Sequence, residues 1–314
     1  MAPTLAYYVH HLSPDLVKFN DSIAVHWYGL SYVVGFYLAF LVMHSLAKRG
    51  MSEIKPEAVA DFITMTAIFG VVLGGRLGYM LLYNFDAFIH NPLIFFQIYD
   101  GGMASHGGIA GVALFLLWYA RKHKISWTGL GDTLVAGAPL GIMTVRIANF
   151  INGELFGRIT TVPWAVKFPT EIHHLDFLNR TTSKLPFESF PQHSPDILAF
   201  YEKNYGDVSQ FTELLHPRHP SQLYESAGEG LLLFLVLYTI RVKFPRLPHG
   251  ILTGLFFILY AAVRIALECV REPDSGSQMI LGLTRGQFFS TFMIAAGLAF
   301  LAFGWTRGRR ATAA

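Results

Sequence analysis

Charge is what this chain has least of. Asp, Glu, Lys and Arg make up 14% of its 314 residues, against 53% hydrophobic, whereas a soluble domain carries nearer a quarter charged residues. The shortage excludes an ordinary soluble enzyme and fits a protein that crosses a membrane several times. Cysteine is nearly absent as well. Cys269 stands alone, which excludes an intrachain disulfide and any site built on Cys spacing. The net charge of +3 is too small to suggest a nucleic-acid partner. Met1–His26 lacks a basic start followed by an unbroken apolar core, so no cleavable signal peptide is expected and the first span serves as the anchor. No internal repeat is visible, and with it goes the inverted-repeat signature of many secondary transporters.

What is present is a series of long apolar runs. Seven stretches approach or reach the ~17–25 residues that cross a hydrocarbon core: about Tyr28–Ala47, Val59–Tyr83, Met103–Tyr119, Gly131–Ile151, Ala227–Ile240, Gly250–Cys269 and Gly286–Trp305. Cations follow alternate runs: Lys48, Arg49 and Lys55, then Arg121, Lys122 and Lys124, then Arg241, Lys243 and Arg246, then Arg307, Arg309 and Arg310. The Asn84–Gly102 loop has no Lys or Arg. This asymmetry predicts the N-terminus outside and the C-terminus inside. The expected fold is therefore an all-α polytopic membrane protein with seven transmembrane helices. Its divisions are an interfacial arm over 1–27, helices one to four over 28–157, a small periplasmic head over 158–218, helices five to seven over 219–306, and a basic cytoplasmic tail over 307–314. Within the head, VPWAVKFP reads as a strand.

A few polar residues interrupt those runs, and each is expensive. An Arg at the bilayer centre costs roughly 2.5–3.5 kcal/mol on insertion scales, yet Arg76, Arg146 and Arg264 all stand in or beside apolar segments. On the expected topology Tyr28 and His106 begin spans, while Arg76, Arg146, Asn149, Arg264 and Glu268 end them, with Glu225 at the same level. All fall in the outer half. Bland explanations exist for each: an i,i+4 ion pair for Arg264 and Glu268, close helix packing for GGRLGY around Arg76, interhelical hydrogen bonds for Asn149 and Asn152, a packing histidine for His106, an interfacial belt for Trp27 and Tyr28. Together they strain, because tolerated polar residues would scatter over both leaflets. The one-sided clustering predicts a polar cavity opening outward. His10, His11, His173 and His174 lack the neighbouring carboxylate or Cys spacing of a metal site.

Six segments in order carry a family resemblance: HWYGL at His26–Leu30, GGRLGY at Gly74–Tyr79, GGMASHGGIAGV at Gly101–Val112, RIANFINGELFGR at Arg146–Arg158, RHPSQLYE at Arg218–Glu225 and VRIALECVREPD at Val263–Asp274. The chain resembles the bacterial prolipoprotein diacylglyceryl transferases from roughly Ser22 to Trp305, and departs from them over Glu171–Leu215, which looks longer than the usual family loop. The resemblance implies a multi-pass enzyme of the bacterial inner membrane, its site facing the periplasm, that moves the diacylglyceryl group of phosphatidylglycerol onto the lipobox cysteine of a preprolipoprotein. A thioether forms and glycerol phosphate leaves. Besides the lipid and the precursor's signal-peptide segment, only membrane lipids are expected as partners, and no metal or cofactor.

By matching motif positions, the resemblance implies a functional set of Tyr28, His106, Arg146, Asn149, Glu154, Gly157, Arg264 and Glu268, with Glu225 as an addition; Arg76 joins them from its place in the outer cluster. The chemistry gives these types reasons. A guanidinium stays charged and grips two phosphate oxygens at once, so Arg146 and Arg264 suit headgroup binding and leaving-group stabilisation. A thiol with an ordinary pKa near ~8.5 is mostly protonated at neutral pH, and His106 is the natural base. Two other classes are weighed. A transporter needs polar residues reaching the inner leaflet, where only residues such as Ser45, Thr64 and Thr133 occur. A hydrolase using Ser105 beside His106 is disfavoured because adjacent helical residues point about 100° apart and no nucleophile elbow surrounds them.

Overall fold

The computed structural model describes residues 7–20, 24–97, 101–174, 190–273 and 279–313. Portions of the expected arm, head and tail (residues 1–6, 21–23, 175–189 and 314), three residues of the cation-free loop (98–100) and Asp274 of the last motif lie outside the described residues, as do the side chains of Arg307, Arg309 and Arg310. Helices dominate: α1 Trp27–Lys48, α2 Pro56–Leu82, α3 Ser105–His123, α4 Trp127–Val135, α5 Ala138–Asn152, α6 Ser194–Tyr205, α7 Val208–Leu214, α8 Ser221–Lys243, α9 Ile251–Leu267 and α10 Arg285–Ala313.

Their ends follow from local chemistry. The Ser126 hydroxyl accepts the Gly129 N–H and starts α4. Thr284 and Gln287 exchange side-chain-to-backbone hydrogen bonds of 3.2 Å at the start of α10, a reciprocal cap on two orphan donors. Lys124, with φ +54°, closes α3 through its N–H to the carbonyls of Ala120 and Arg121. Pro139 stands in the first turn of α5, where its missing N–H costs nothing.

By length and composition α1, α2, α8 and the Arg285–Thr306 part of α10 can each cross a membrane, and α4 with α5, bent by 41° at the break between them, counts as a fifth crossing if taken as one span. The run read as a single helix over Gly131–Ile151 is thus broken, next to Gly137. The two remaining expected spans correspond to shorter or more polar helices, α3 with 19 residues and α9 with 17. The fold is mostly helical, as expected, with short strands outside the helices. Strands β1 (Tyr8–Val9), β4 (Val166–Lys167) and β5 (Pro217–Arg218) form one sheet with β4 in the middle, parallel to β1 and antiparallel to β5. Strands β2 (Asp15–Lys18) and β3 (Ala24–His26) pair antiparallel, Asp15 opposite His26. The strand expected in VPWAVKFP is β4.

The chain divides into two compact units. One comprises Met1–Leu38, Ala138–Leu237 and Gly254–Ala299. In it α5 and α8 approach closely: a Cβ on Gly230 would lie 2.7 Å from the Met143 Cα, and Ser226 donates to the Met143 carbonyl. Outside these helices Phe156, Val166 and Phe168 pack together, and Ile172, Phe190, Ile197, Tyr201, Phe211 and Leu215 form a second apolar core. The head thus holds itself together. His10 reaches into it from the arm, buried against Phe150 and Phe168 and bonded to the Ser194 hydroxyl at 3.0 Å.

The other unit comprises Ala39–Gly137, Tyr238–Thr253 and Phe300–Ala314. Its centre is a glycine contact: a Cβ on Gly107 of α3 would sit 2.7 Å from the Cα of Gly78 in α2, and one on Gly111 would sit 2.8 Å from the Cα of Gly74. Backbones meet only where side chains are missing, which is how apolar helices pack without a hydrophobic driving force. Buried Asp132 accepts from the Gly250 and Thr253 N–H groups, both at 2.7 Å, and so caps the start of α9.

Candidate active site

The signature run RIANFINGELFGR leaves α5 through a tight turn. Gly153 takes φ +68° and Leu155 φ +56°, a left-handed backbone that glycine adopts freely. Glu154 lies between them and accepts from Asn149 Nδ2 at 2.7 Å and from Asn152 Nδ2 at 3.3 Å. The turn is held from outside by the RHPSQLYE run: Gln222 donates to the Glu154 carbonyl at 2.6 Å and Ser221 to the Leu155 carbonyl at 3.0 Å. Gly157 then donates to the His219 carbonyl at 2.8 Å, and a Cβ there would lie 2.7 Å from the His219 Cβ. Arg158 donates to the Val270 carbonyl at 2.8 Å. Three of the six motifs, distant in sequence, therefore lock together through main-chain bonds.

Above that lock sits a buried charge cluster. Glu225 and Glu229, both fully buried, lie four apart on α8, Glu229 within a π-helical segment, Ser226–Leu232, a distortion found often at functional sites. Each carboxylate bridges two arginines. Arg146 on α5 pairs with Glu225 at 2.9 Å and Glu229 at 3.2 Å; Arg264 on α9 pairs with the same two at 3.2 and 3.4 Å and with Glu268 at 3.3 Å. Arg271 adds a third cation on Glu225 at 2.8 Å, and the Tyr260 hydroxyl donates to Glu229 at 3.4 Å. The three arginines and three glutamates of this cluster sum to zero charge. Removing one member of such a buried set leaves an uncompensated ion, costing about 3–5 kcal/mol. Gly286 lies against this cluster: a Cβ there would sit 2.6 Å from the Glu268 carboxylate.

A guanidinium has five N–H donors, and the two ion pairs on Arg146 take one from Nη1, to Glu225, and one from Nη2, to Glu229.

The structure brings Arg146, Asn149, Glu154, Gly157, Glu225, Arg264 and Glu268 together in one unit. Tyr28 lies in the same unit, in the first turn of α1, its ring edge-on to Tyr32 at 5.6 Å. Arg76 and His106 belong to the other unit. Arg76 is buried, and its guanidinium donates to the carbonyls of Ile94, Phe95, Gln97, Gly101 and Gly102, so it clamps the loop that leads into α3. His106 opens α3 one residue before the Gly107 contact. Sequence reasoning missed Glu229, Tyr260 and Arg271 as members of the cluster. Glu229 had a visible sign, its i,i+4 spacing from Glu225.

Helices able to cross a membrane define a membrane protein, and the buried arginine–glutamate cluster is its candidate site. The comparisons narrow this class. The family profile of prolipoprotein diacylglyceryl transferase matches residues 14–303, and the chain belongs to that family. It is similar to the phosphatidylglycerol–prolipoprotein diacylglyceryl transferases of Vibrio vulnificus (38% identical, covering 91% of this chain and 89% of the relative), Stenotrophomonas maltophilia (38%, 94% and 92%) and Brucella ovis (40%, 88% and 86%).

Proposed function

We propose that this protein transfers the diacylglyceryl group of phosphatidylglycerol to the lipobox cysteine of a preprolipoprotein, the first step of bacterial lipoprotein maturation. The observation that carries the reading is the pair Arg146 and Arg264, bridged by Glu225 and Glu229, in a chain of this family. In the reaction the cysteine sulfur forms a bond to a glycerol carbon. The bond from that carbon to the phosphate oxygen breaks, its electron pair stays on oxygen, and glycerol phosphate departs with added negative charge. Arg146 and Arg264 hold the phosphate and stabilise that charge. Glu225, with Glu229, fixes both guanidiniums in place, and Glu268 orients Arg264.

The thiol proton is assigned to His106, the histidine of the family's motif. Asn149 and Glu154 position lipid or main-chain oxygens beside the lock that Gly157 permits, and Tyr28 contacts substrate at the outer end of α1. For Arg76 the proposal shifts from lipid contact to holding the loop ahead of His106. Seven crossings, with the N-terminus outside, the head in the periplasm and the site facing it in the inner membrane, complete the reading. It is supported by the alternation of cations and by α3 and α9, which at 1.5 Å per residue reach about 26–28 Å.

The direct test follows the leaving group. Purified protein given phosphatidylglycerol should release glycerol phosphate only when a peptide thiol is present. Equal release without peptide would make the protein a hydrolase that gives the diacylglyceryl group to water, a phospholipase of the C type.

A further inference from the structure

Two substrates of opposite character must be seated, and the arginine cluster answers for only one of them. A cavity of about 720 Å³ lies in the same unit as the cluster, walled by Val25 and His26 of β3, Tyr28 and Gly29 of α1, Asn152 at the end of α5 and His193 before α6. We infer that this cavity seats the extended polypeptide segment around the acceptor cysteine, while the lipid headgroup goes to the arginines. The inference rests on the transferase reading above and adds to it the place of the protein substrate.

Three observations select a peptide over a lipid. Neither Lys nor Arg lines the cavity, so it offers no permanent cation to a phosphate, whereas its apolar walls and the hydrogen-bonding side chains of His26, Asn152 and His193 suit peptide groups. It is built largely from the β2–β3 hairpin and the first turn of α1, at the end of a membrane-crossing helix rather than along its length, where an acyl chain would lie. Among the described residues its β-hairpin has two strands, ordered β2-β3, so an incoming extended segment can add along the β3 side by main-chain hydrogen bonds, as in strand addition elsewhere. The cavity is also wired to the signature motif. Asn152 forms part of its wall and shares the Glu154 carboxylate with Asn149, at 3.3 and 2.7 Å.

Gly29 provides the test, because a Cβ there would meet no atom within 4 Å. Gly29→Leu therefore starts its side chain in open space, and leucine favours a helix over glycine. Val25→Trp, at an exposed strand position, narrows the cavity from the hairpin. Each variant is compared with the native protein in two measurements: binding of a fluorescent lipobox peptide with Ser in place of Cys, and steady-state transfer with each substrate varied separately. Peptide affinity should fall, and the KM for peptide rise, by about tenfold, with the KM for phosphatidylglycerol within about twofold of native. A rise confined to the lipid KM, or no change in either, overturns the assignment while leaving the transferase standing. A native protein that neither binds nor modifies any lipobox peptide overturns the transferase reading itself.

Discussion

At the scale of single residues, Arg146 and His10 show how burial turns a polar side chain into a functional or structural commitment. Arg146 faces two carboxylates at once, a geometry suited to a planar fork. Lysine keeps the charge but is a point donor. Arg146→Lys should therefore fold and lose activity on the order of 100-fold, the scale of removing one aligned donor from a transition state. Near-native turnover would reduce Arg146 to a structural cation. His10 carries the opposite commitment. Burial pushes its pKa down to about 4, against a backbone hydrogen bond at Phe150 that favours the charged form. Between pH 6.5 and 4 the unfolded chain takes up a proton that the folded chain refuses, so stability is fully present above pH 6.5 and drains away as pH falls through that window. The loss amounts to about 3 kcal/mol. Thermal unfolding in detergent over a pH series should show this decline, and His10→Gln should flatten it; an equally steep decline in the variant would locate the acid sensitivity elsewhere.

At the scale of elements, glycine placement decides what can approach what. A Cβ on Gly107 would sit 2.7 Å from the Gly78 Cα, closer than backbone atoms allow, while one on its neighbour Gly108 would sit 3.7 Å from the Val71 carbonyl, an ordinary contact. Gly107→Ala should lower the thermal midpoint and expression markedly, and Gly108→Ala should leave both near native. Equal behaviour of the two would mean that α2 and α3 do not pack through these glycines. The elements also show what was legible beforehand. Arg146, Arg264 and Glu268 stood out because charge in an apolar run is costly, and the structure places them in one cluster. Glu229 was passed over because the fifth apolar run was read as beginning at Ala227, which left Glu225 outside the span. The helix in fact starts at Ser221, so both carboxylates ride on it. The bend between α4 and α5 was hidden because Gly137 and Pro139 interrupt hydropathy very little while breaking the helix. β4 was legible in VPWAVKFP, but its neighbours β1 and β5 escaped for another reason: two-residue pairings such as Tyr8 with Val166 and Pro217 with Lys167 are set by distant partners, and no local period announces them.

At the scale of the whole molecule, the alternation of cations is a claim about sidedness. The native Cys269 is exposed and free, so labelling begins from a Cys269→Ser background. Single cysteines placed in the Lys48–Lys55 loop and in the Gln192–Gln210 segment should react with an impermeant reagent from opposite sides of the membrane. Reaction from the same side would contradict the topology and with it the outward-facing site.

The central claim is that a peptide thiol displaces glycerol phosphate at carbon, and mass spectrometry of the acceptor peptide tests it most directly. Purified protein, phosphatidylglycerol and a lipobox peptide should yield a peptide heavier by one diacylglyceryl group, joined through sulfur, and the same peptide with Ser in place of Cys should remain unmodified. A gain of a single acyl or a phosphatidyl group, or modification of the Ser peptide, would contradict the account.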